Sequence, residues 1–144
     1  MRSEKWIEAS QYERIKQLMP LPCVDLLIIH EGKLLLMLRK NEPGKGEWFA
    51  PGGRILHGET IEEAVLRNLE DETGLIPIKI DKIDVMEHIW PHTHTVTIFH
   101  RIKVSDDNVV MNDEHSEYKW VQKIPERIHP FLLYMIKEAK IFQV

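Results

Sequence analysis

Apolar and polar positions follow different periods along the chain, and the changes of period mark its predicted helices and strands. Residues from about 7 to 19 fit a short amphipathic helix, which ends before Pro20. The segments 24–29 and 33–40 are almost wholly apolar and predict two buried strands. Only a short polar turn separates them, so we expect an antiparallel hairpin.

The middle of the chain contains the most clearly marked helix, predicted over residues 60–73 after a loop rich in proline and glycine at 41–53. Thr60 is a natural N-cap with Glu63 three residues later, which forms the pattern of a capping box. Gly74 is a natural C-terminal stop. At helical spacing the apolar stripe consists of four residues: Ile61, Val65, Leu66 and Leu69.

The last third of the chain predicts two more strands and a closing helix. Residues 93–104 alternate as a half-buried strand does, and residues 117–122 fit a shorter one. Pro130 then opens a helix. Since no repeat or long linker interrupts this order, we expect one α+β domain over residues 1–144, with a mixed sheet between helices.

Composition narrows the function classes. The chain has 144 residues, of which 43% are hydrophobic and 29% charged, with a formal net charge of -4. That charge, without a dense basic stripe, argues against a nucleic-acid groove. The N-terminal segment lacks a signal-peptide core and no apolar run reaches membrane-spanning length, so we expect a cytoplasmic protein without a membrane partner. A single cysteine, Cys23, excludes an intrachain disulfide.

The candidate functional residues lie where the glycine-rich loop meets the central helix. On a helical wheel Glu72 falls near the azimuth of the apolar residues, where a carboxylate is costly to bury unless a cation or donors meet it. Gly52 and Gly53 allow the backbone to approach a ligand closely. Hard cations such as Mg²⁺ take oxygen ligands from carboxylates, phosphates and water, so this junction predicts a Mg²⁺-diphosphate cradle.

The stretch from 53 to 75 resembles the Nudix box, G-x5-E-x7-R-E-U-x-E-E-x-G-U, in which U is a bulky apolar residue. Seven positions match it outright, and Asp71 replaces a glutamate conservatively; the matches are Gly53, Glu59, Arg67, Leu69, Glu72, Gly74 and Leu75. The resemblance implies the Nudix fold, Mg²⁺ or Mn²⁺ as cofactor, and a nucleoside diphosphate linked to another group as substrate.

Asn68 departs from the box, because most of the family has a metal-binding glutamate there that often acts as general base. An amide cannot take a proton at neutral pH. PLPCVDLLI, RKNEPGKGEWFAPGGRI and NDEHSEYKW resemble the GDP-mannose mannosyl hydrolase branch, which lacks that glutamate and attacks the sugar carbon, releasing GDP and free sugar of inverted configuration. The resemblance implies metal binding by four residues: Gly53, Glu72, Glu114 and Asp71. It implies substrate contacts or catalytic assistance by Asp25, Arg39, Arg54, Arg67 and His88.

His115 takes the place of the branch's general base in this resemblance. Histidine has an unperturbed pKa of about 6.5 and accepts a proton from water near neutral pH. Two alternatives stay open. One is a conventional Nudix pyrophosphohydrolase of nucleotides or nucleotide sugars that attacks phosphorus, with Glu59, Asp71 or a loop residue as base. The other is a Nudix-fold ligand sensor without turnover, for which Asn68 is the sole support.

Two aromatic segments complete the candidate set. The stretch HIWPHTH, residues 88–94, favours a substrate-facing loop, with a transition-metal site through its three histidines as an alternative. Trp48 belongs to the core or, if exposed, stacks on the base or sugar. A homodimer is expected by resemblance alone, with the N-terminal helix as an element that two copies could exchange.

Overall fold

In this computed structural model the described residues, 7–41, 45–113 and 115–142, form three helices and seven strands. The helices are α1 (Ala9–Leu18), α2 (Ile61–Thr73) and α3 (Pro130–Glu138). The strands are β1 (Leu21–His30), β2 (Lys33–Arg39), β3 (Trp48–Phe49), β4 (Gly52–Arg54), β5 (Pro77–Trp90), β6 (Thr93–Val104) and β7 (His115–Val121).

The strands form one mixed sheet with the order β3-β2-β1-β6-β5. β1 and β6 run parallel from Leu21 beside Thr95 to Ile29 beside Lys103, and the other pairs are antiparallel. β1 and β2 pair at their turn and then separate. β4 pairs with β1, while β3 and β7 pair with β2. The glycine segment of β4 is therefore fixed against β1 by backbone hydrogen bonds.

Helices cover both faces of the sheet and divide its core into two clusters. On one face α2 buries Ala64, Val65 and Leu69 against β1, β2 and β6. On the other face α3 buries apolar side chains that include Leu132 and Ile136 against the same strands. Strands covered on both faces need apolar residues at successive positions, which explains the unbroken apolar runs of β1 and β2. This is the α+β sandwich that the sequence predicts.

The predicted N-terminal, central and closing helices and the first hairpin are all confirmed. Thr60 and Glu63 form the capping box: the Thr60 hydroxyl accepts from the Glu63 N–H at 3.1 Å, and the Glu63 carboxylate accepts from the Thr60 N–H at 2.9 Å. Gly74 ends the helix in the left-handed region, with φ 68°. None of the residues of α1 is buried. No described helix has the length and apolar character to cross a membrane.

Several local predictions were wrong. Leu66 is 42% exposed and lies outside the apolar stripe of α2. The expected loop at 41–53 contains β3 and the start of β4, both of which depend on pairing with β1 or β2. β6 is not half-buried: Thr97 and Phe99, from the supposedly exposed face, are buried because α3 covers that side. HIWPHTH, predicted as a substrate-facing loop, is the tip of the β5–β6 hairpin, and His88 and Trp90 line the cavity.

β5 has no counterpart in the sequence prediction, although it is the longest strand in the described part of the chain. The irregular pairing of β5 with β6 between Pro77 and Lys79, and again between Lys82 and Asp84, interrupts the alternation of its side chains. Exposed apolar residues such as Val85 further obscure the period. A bulged edge strand does not produce the two-residue pattern on which strand prediction depends.

Candidate active site

A cavity of about 560 Å³ opens between α1, the β4 segment and the inner face of α2. Its floor is polar: Asp25 from β1, Asn68 and Glu72 from α2, and the backbone of Gly53. Three arginines also line it: Arg39, Arg54 and Arg67. A cavity with carboxylates at its floor and cations around it suits a ligand that carries both a metal ion and phosphate groups.

The glycine pair is close to neighbouring atoms at both positions. A side chain at Gly52 would collide with the backbone carbonyl of Val24 and would lie 2.6 Å from Asp25 Oδ1. A side chain at Gly53 would overlap Asn68 Oδ1. Glycine at both positions is therefore a requirement of space, because any Cβ atom would push β4 away from β1 and α2.

Asn68 is a packed structural side chain. Its Nδ2 atom donates a hydrogen bond to the Ala64 carbonyl at 2.8 Å, and its Oδ1 atom faces Gly53. The side chain is buried. A glutamate here would lose that donor and would add a second carboxylate beside Glu72, one turn later on the same face. The amide thus fits the local packing while it gives the site no proton acceptor at neutral pH.

Arg67 of α2 forms hydrogen bonds to the segment that precedes the helix. Its Nε donates to Glu59 Oε2 at 2.6 Å and its Nη2 to Glu59 Oε1 at 3.0 Å. The same Nη2 donates to the Arg54 carbonyl at 2.7 Å. Glu59 also accepts from the backbone N–H of Leu56 at 2.9 Å. A two-pronged guanidinium–carboxylate pair fixes orientation as well as distance, so the glycine segment and α2 are held in one arrangement.

Glu72 and His115 form a buried pair. The Nε2 atom of His115 lies 2.6 Å from Glu72 Oε2, and the side chains of His115 and Glu72 are 2% and 4% exposed. His115 Nδ1 is buried and has no hydrogen-bond partner in the described part of the chain. Glu72 lines the cavity, whereas His115, which pairs with Arg39 across β7 and β2, lies behind it. This pair joins the end of α2 to the start of β7.

Asp25 shares the cavity floor with Glu72. The pKa of the Asp25 carboxyl is raised to about 6, chiefly by burial and also by the charge of Glu72, while the guanidinium of Arg39 acts in the opposite direction. Two carboxylates in one partly dehydrated space repel each other, and a cation between them relieves that cost.

One side of the cavity is aromatic and consists of Phe49, His88 and Trp90. His88 is 6% exposed, and its Nε2 atom has no hydrogen-bond partner among the described residues. Burial, together with the neighbouring His129, lowers the pKa of His88 to about 4. His88 is therefore neutral at physiological pH.

The NUDIX domain model matches residues 19–128, which contain the glycine segment, α2 and the Glu72–His115 pair. The chain belongs to the Nudix family. It is 33% identical over 134 residues to the low-salt glycan biosynthesis protein Agl8 of Haloferax volcanii, covering 88% of this chain and 86% of the relative. It is 36% identical over 104 residues to an ADP-ribose pyrophosphatase of Methanocaldococcus jannaschii, covering 68% of this chain and 59% of the relative.

Solved structures agree on the fold. A MutT NUDIX hydrolase from Burkholderia pseudomallei superimposes with a TM-score of 0.75 at 26% identity, covering 84% of this chain and 98% of the other. The NUDIX domain of Shewanella oneidensis NrtR, crystallised with ADP ribose, gives a TM-score of 0.69 at 25% identity, covering 93% and 97%.

Not every residue predicted for the Nudix site lies in the cavity. Asp71 is exposed, with Oδ2 3.8 Å from Arg67 Nη1, and does not line the cavity. Trp48 lies outside as well, with Lys119 Nζ 4.1 Å from its ring centroid. Glu114 falls outside the described residues. The remaining predicted residues meet at the cavity or directly behind it.

The histidine-rich segment does not form a metal site in the described residues, since no group of three His, Cys, Asp or Glu side chains is arranged there to hold an ion. His88 lies in the aromatic side of the cavity, while His92 is exposed at the hairpin tip. A Nudix metal ion nevertheless fits the cavity floor. Mg²⁺ needs one or two protein carboxylates when substrate phosphates and water complete its shell, and Glu72 with the Gly53 carbonyl fits that donor chemistry.

Sequence reasoning missed the part of the cavity that α1 provides. Tyr12 and Lys16 line it, and the Arg54 guanidinium lies 5.5 Å from the Tyr12 ring centroid. The two residues are four apart and so share one helix face, which was the available signal. What the sequence did not show is that this face turns toward the Nudix cavity.

Proposed function

We propose that this chain hydrolyses a nucleoside-diphosphate sugar of the GDP-mannose or GDP-glucose type at the sugar C1 atom, releasing the nucleoside diphosphate and the free sugar. Its family makes it a Nudix hydrolase of nucleotide derivatives. The observation that carries the finer proposal is the packing of Asn68 against Gly53 at the box position of the usual base, while His115 lies at Glu72. The relative named for glycan biosynthesis is consistent with a sugar nucleotide as substrate.

In this proposal Glu72 and the Gly53 carbonyl hold Mg²⁺ or Mn²⁺. When bound, the ion neutralises negative charge on the diphosphate and so makes it a better leaving group. Arg39 and Arg54 line the same cavity and bind the phosphate oxygens, while Arg67 keeps the Arg54 backbone in place through the hydrogen bond to its carbonyl. Positioned cations of this kind stabilise charge that develops on a leaving group, so no separate general acid is required.

The general base in this mechanism is His115. Its Nε2 atom is engaged by Glu72, which leaves Nδ1 as the nitrogen that accepts the proton. The oxygen of water forms a bond to C1 as the bond from C1 to the diphosphate oxygen breaks, and that oxygen keeps the electron pair. This mechanism requires the attacking water to reach Nδ1, which is buried behind Glu72 and outside the residues that line the cavity. General-base assistance of this kind contributes about 10²- to 10⁴-fold.

A conventional pyrophosphohydrolase is the second candidate. Its support is the similarity to an ADP-ribose pyrophosphatase and to a NUDIX domain crystallised with ADP ribose. In that case water attacks phosphorus, with a carboxylate such as Glu59 as base. Glu59 accepts two hydrogen bonds from Arg67, which disfavours its taking up a proton.

Product analysis distinguishes these functions. The protein is incubated with Mg²⁺ and, separately, GDP-mannose, GDP-glucose and ADP-ribose; the nucleotide and phosphate products are identified by ³¹P NMR and the free sugar by ¹H NMR. GDP and a free sugar support a nucleoside-diphosphate-sugar hydrolase, and an ¹⁸O label from water in the sugar then supports attack at carbon. GMP with a sugar phosphate, or AMP with ribose phosphate as the main reaction, contradicts the proposal. Binding without turnover of any substrate supports a ligand sensor and contradicts it too.

A further inference from the structure

The aromatic side of the cavity is supported from behind by the first turn of α3. We call Phe49, His88 and Trp90 the aromatic wall. His129 and Phe131 lie behind this wall and do not line the cavity. Phe131 stacks on His88 with a centroid distance of 4.3 Å and an interplanar angle of 5°. His129 contacts Phe49 at 5.3 Å and Trp90 at 5.2 Å between centroids.

His129 is held in a fixed orientation. Its Nδ1 atom accepts a hydrogen bond from the Phe131 N–H at 3.1 Å, which makes it the N-cap of α3. The ring therefore cannot turn away from Phe49 and Trp90 without loss of the cap. Aromatic pairs at these distances contribute beyond the area they bury and prefer particular angles, so His129 sets the orientation of its two neighbours.

The wall presents aromatic rings to the cavity, and it contains one buried polar atom without a partner in the described residues. His88 Nε2 is buried without a partner in the described residues, although His88 lines the cavity. A buried polar atom is costly until something supplies its hydrogen bond. A sugar or nucleobase ring has an apolar face that fits such a wall.

We propose that His129 is a positioning residue for substrate, which holds Phe49 and Trp90 so that the aromatic wall receives the ring attached to the diphosphate. Phe131 does the same for His88. This inference rests on the proposed cavity function but not on whether water attacks carbon or phosphorus. Sugar and nucleobase share the chemistry that the wall recognises, and the experiment separates them.

Two substitutions at one position separate positioning from folding. His129→Asn keeps an N-cap acceptor and removes the ring, whereas His129→Phe keeps a ring and removes the cap. We expect His129→Asn to raise KM about 2- to 10-fold, on the scale of an aromatic pair, with kcat and Tm near those of wild type. His129→Phe is expected to lower Tm and leave KM nearly unchanged.

Binding of GDP with Mg²⁺, measured by calorimetry, identifies the ring. A weaker GDP affinity in His129→Asn places the nucleobase on the wall, while a higher KM with unchanged GDP affinity places the sugar there. If His129→Asn binds and turns over substrate as wild type does, or His129→Phe raises KM equally, the positioning role is wrong. If wild type hydrolyses ADP-ribose instead of a GDP-sugar, the proposed function is wrong, but the role of His129 can still be tested. The variants are then compared for hydrolysis of ADP-ribose and for binding of AMP.

Discussion

Nε2 of His115 lies 2.6 Å from Oε2 of Glu72, and both side chains are buried. The residue proposed as base is thus hydrogen-bonded to the residue proposed to hold the metal ion. Removal of either partner takes this buried hydrogen bond from the other, so an alanine substitution combines a loss of chemistry with a loss of structure.

His115→Gln and His115→Ala together separate these two effects. Glutamine can still donate to Glu72 but cannot accept a proton, so we expect a rate reduced about 10²- to 10⁴-fold with little change in stability. Alanine should show the same loss of rate and a stability lower by about 1–3 kcal/mol. Steady-state kinetics and urea unfolding measure the two quantities. A wild-type rate for His115→Gln would mean that His115 only holds Glu72 in place.

Gly53 and Asn68 should be energetically coupled. Gly53→Ala forces a methyl group against Asn68 Oδ1 and is expected to cost about 1–3 kcal/mol of stability, the usual scale of overpacking. Asn68→Ala removes the obstructing atom, so the double variant should be more stable than the sum of the single effects predicts, by about 0.5–3 kcal/mol. Asn108→Ala, at an exposed position, is the control and should add to Gly53→Ala without coupling. Additive costs for Gly53 and Asn68 would contradict the packing described for α2.

Arg67→Lys tests the attachment of the glycine segment to α2. Lysine cannot make the paired hydrogen bonds to Glu59 and reach the Arg54 carbonyl at once, so unfolding should need about 1–3 kcal/mol less free energy. Arg127→Lys, at an exposed position, should stay within about 0.5 kcal/mol of wild type. Equal stability of the two variants in urea unfolding would show that the Arg67 contacts contribute nothing.

The local signals that predicted α2 operate over a few residues. The capping box at the start of α2 involves only Thr60 and Glu63, and the end of α2 is set by Gly74. Each signal therefore depends on residues within one helical turn. The inward direction of Glu72 followed from helical spacing alone. The sequence therefore located the loop–helix junction, and in the structure Gly53 and Glu72 line one cavity.

The missed features depend on contacts between distant segments. β3 and β4 are too short to be recognised without their partner strands, and the irregular pairing of β5 hides its period. Trp48 was predicted in the core or, if exposed, at the substrate; it packs against the core on the α3 side, beside Lys119, while Phe49 and Trp90 line the cavity. Local spacing does not determine which of several aromatic residues faces the site.

His88 predicts a pH dependence of stability. Burial lowers its pKa to about 4 in the folded protein, against 6.5 for an ordinary histidine, so the unfolded chain binds more protons between these values. Its contribution to stability is therefore complete above about pH 6.5 and is lost as the pH falls toward 4. His88→Phe should flatten the fall of Tm across this range. Part of the slope should remain, because burial also lowers the pKa of His100.

His57→Gln is the matched control for that experiment, since His57 is exposed. Its Tm should follow wild type at each pH. If the curve of His88→Phe runs parallel to wild type from pH 6.5 to 4, the lowered pKa of His88 makes no contribution to stability, and the account of its burial is wrong.

The central claim is that chemistry in this Nudix hydrolase has moved from phosphorus to the sugar carbon because Asn68 supplies no base. The most direct measurement is hydrolysis of GDP-mannose with Mg²⁺ in ¹⁸O-labelled water, with the position of the label determined by mass spectrometry. The account predicts ¹⁸O in the free sugar and unlabelled GDP. Label in a phosphate group of the products would contradict it.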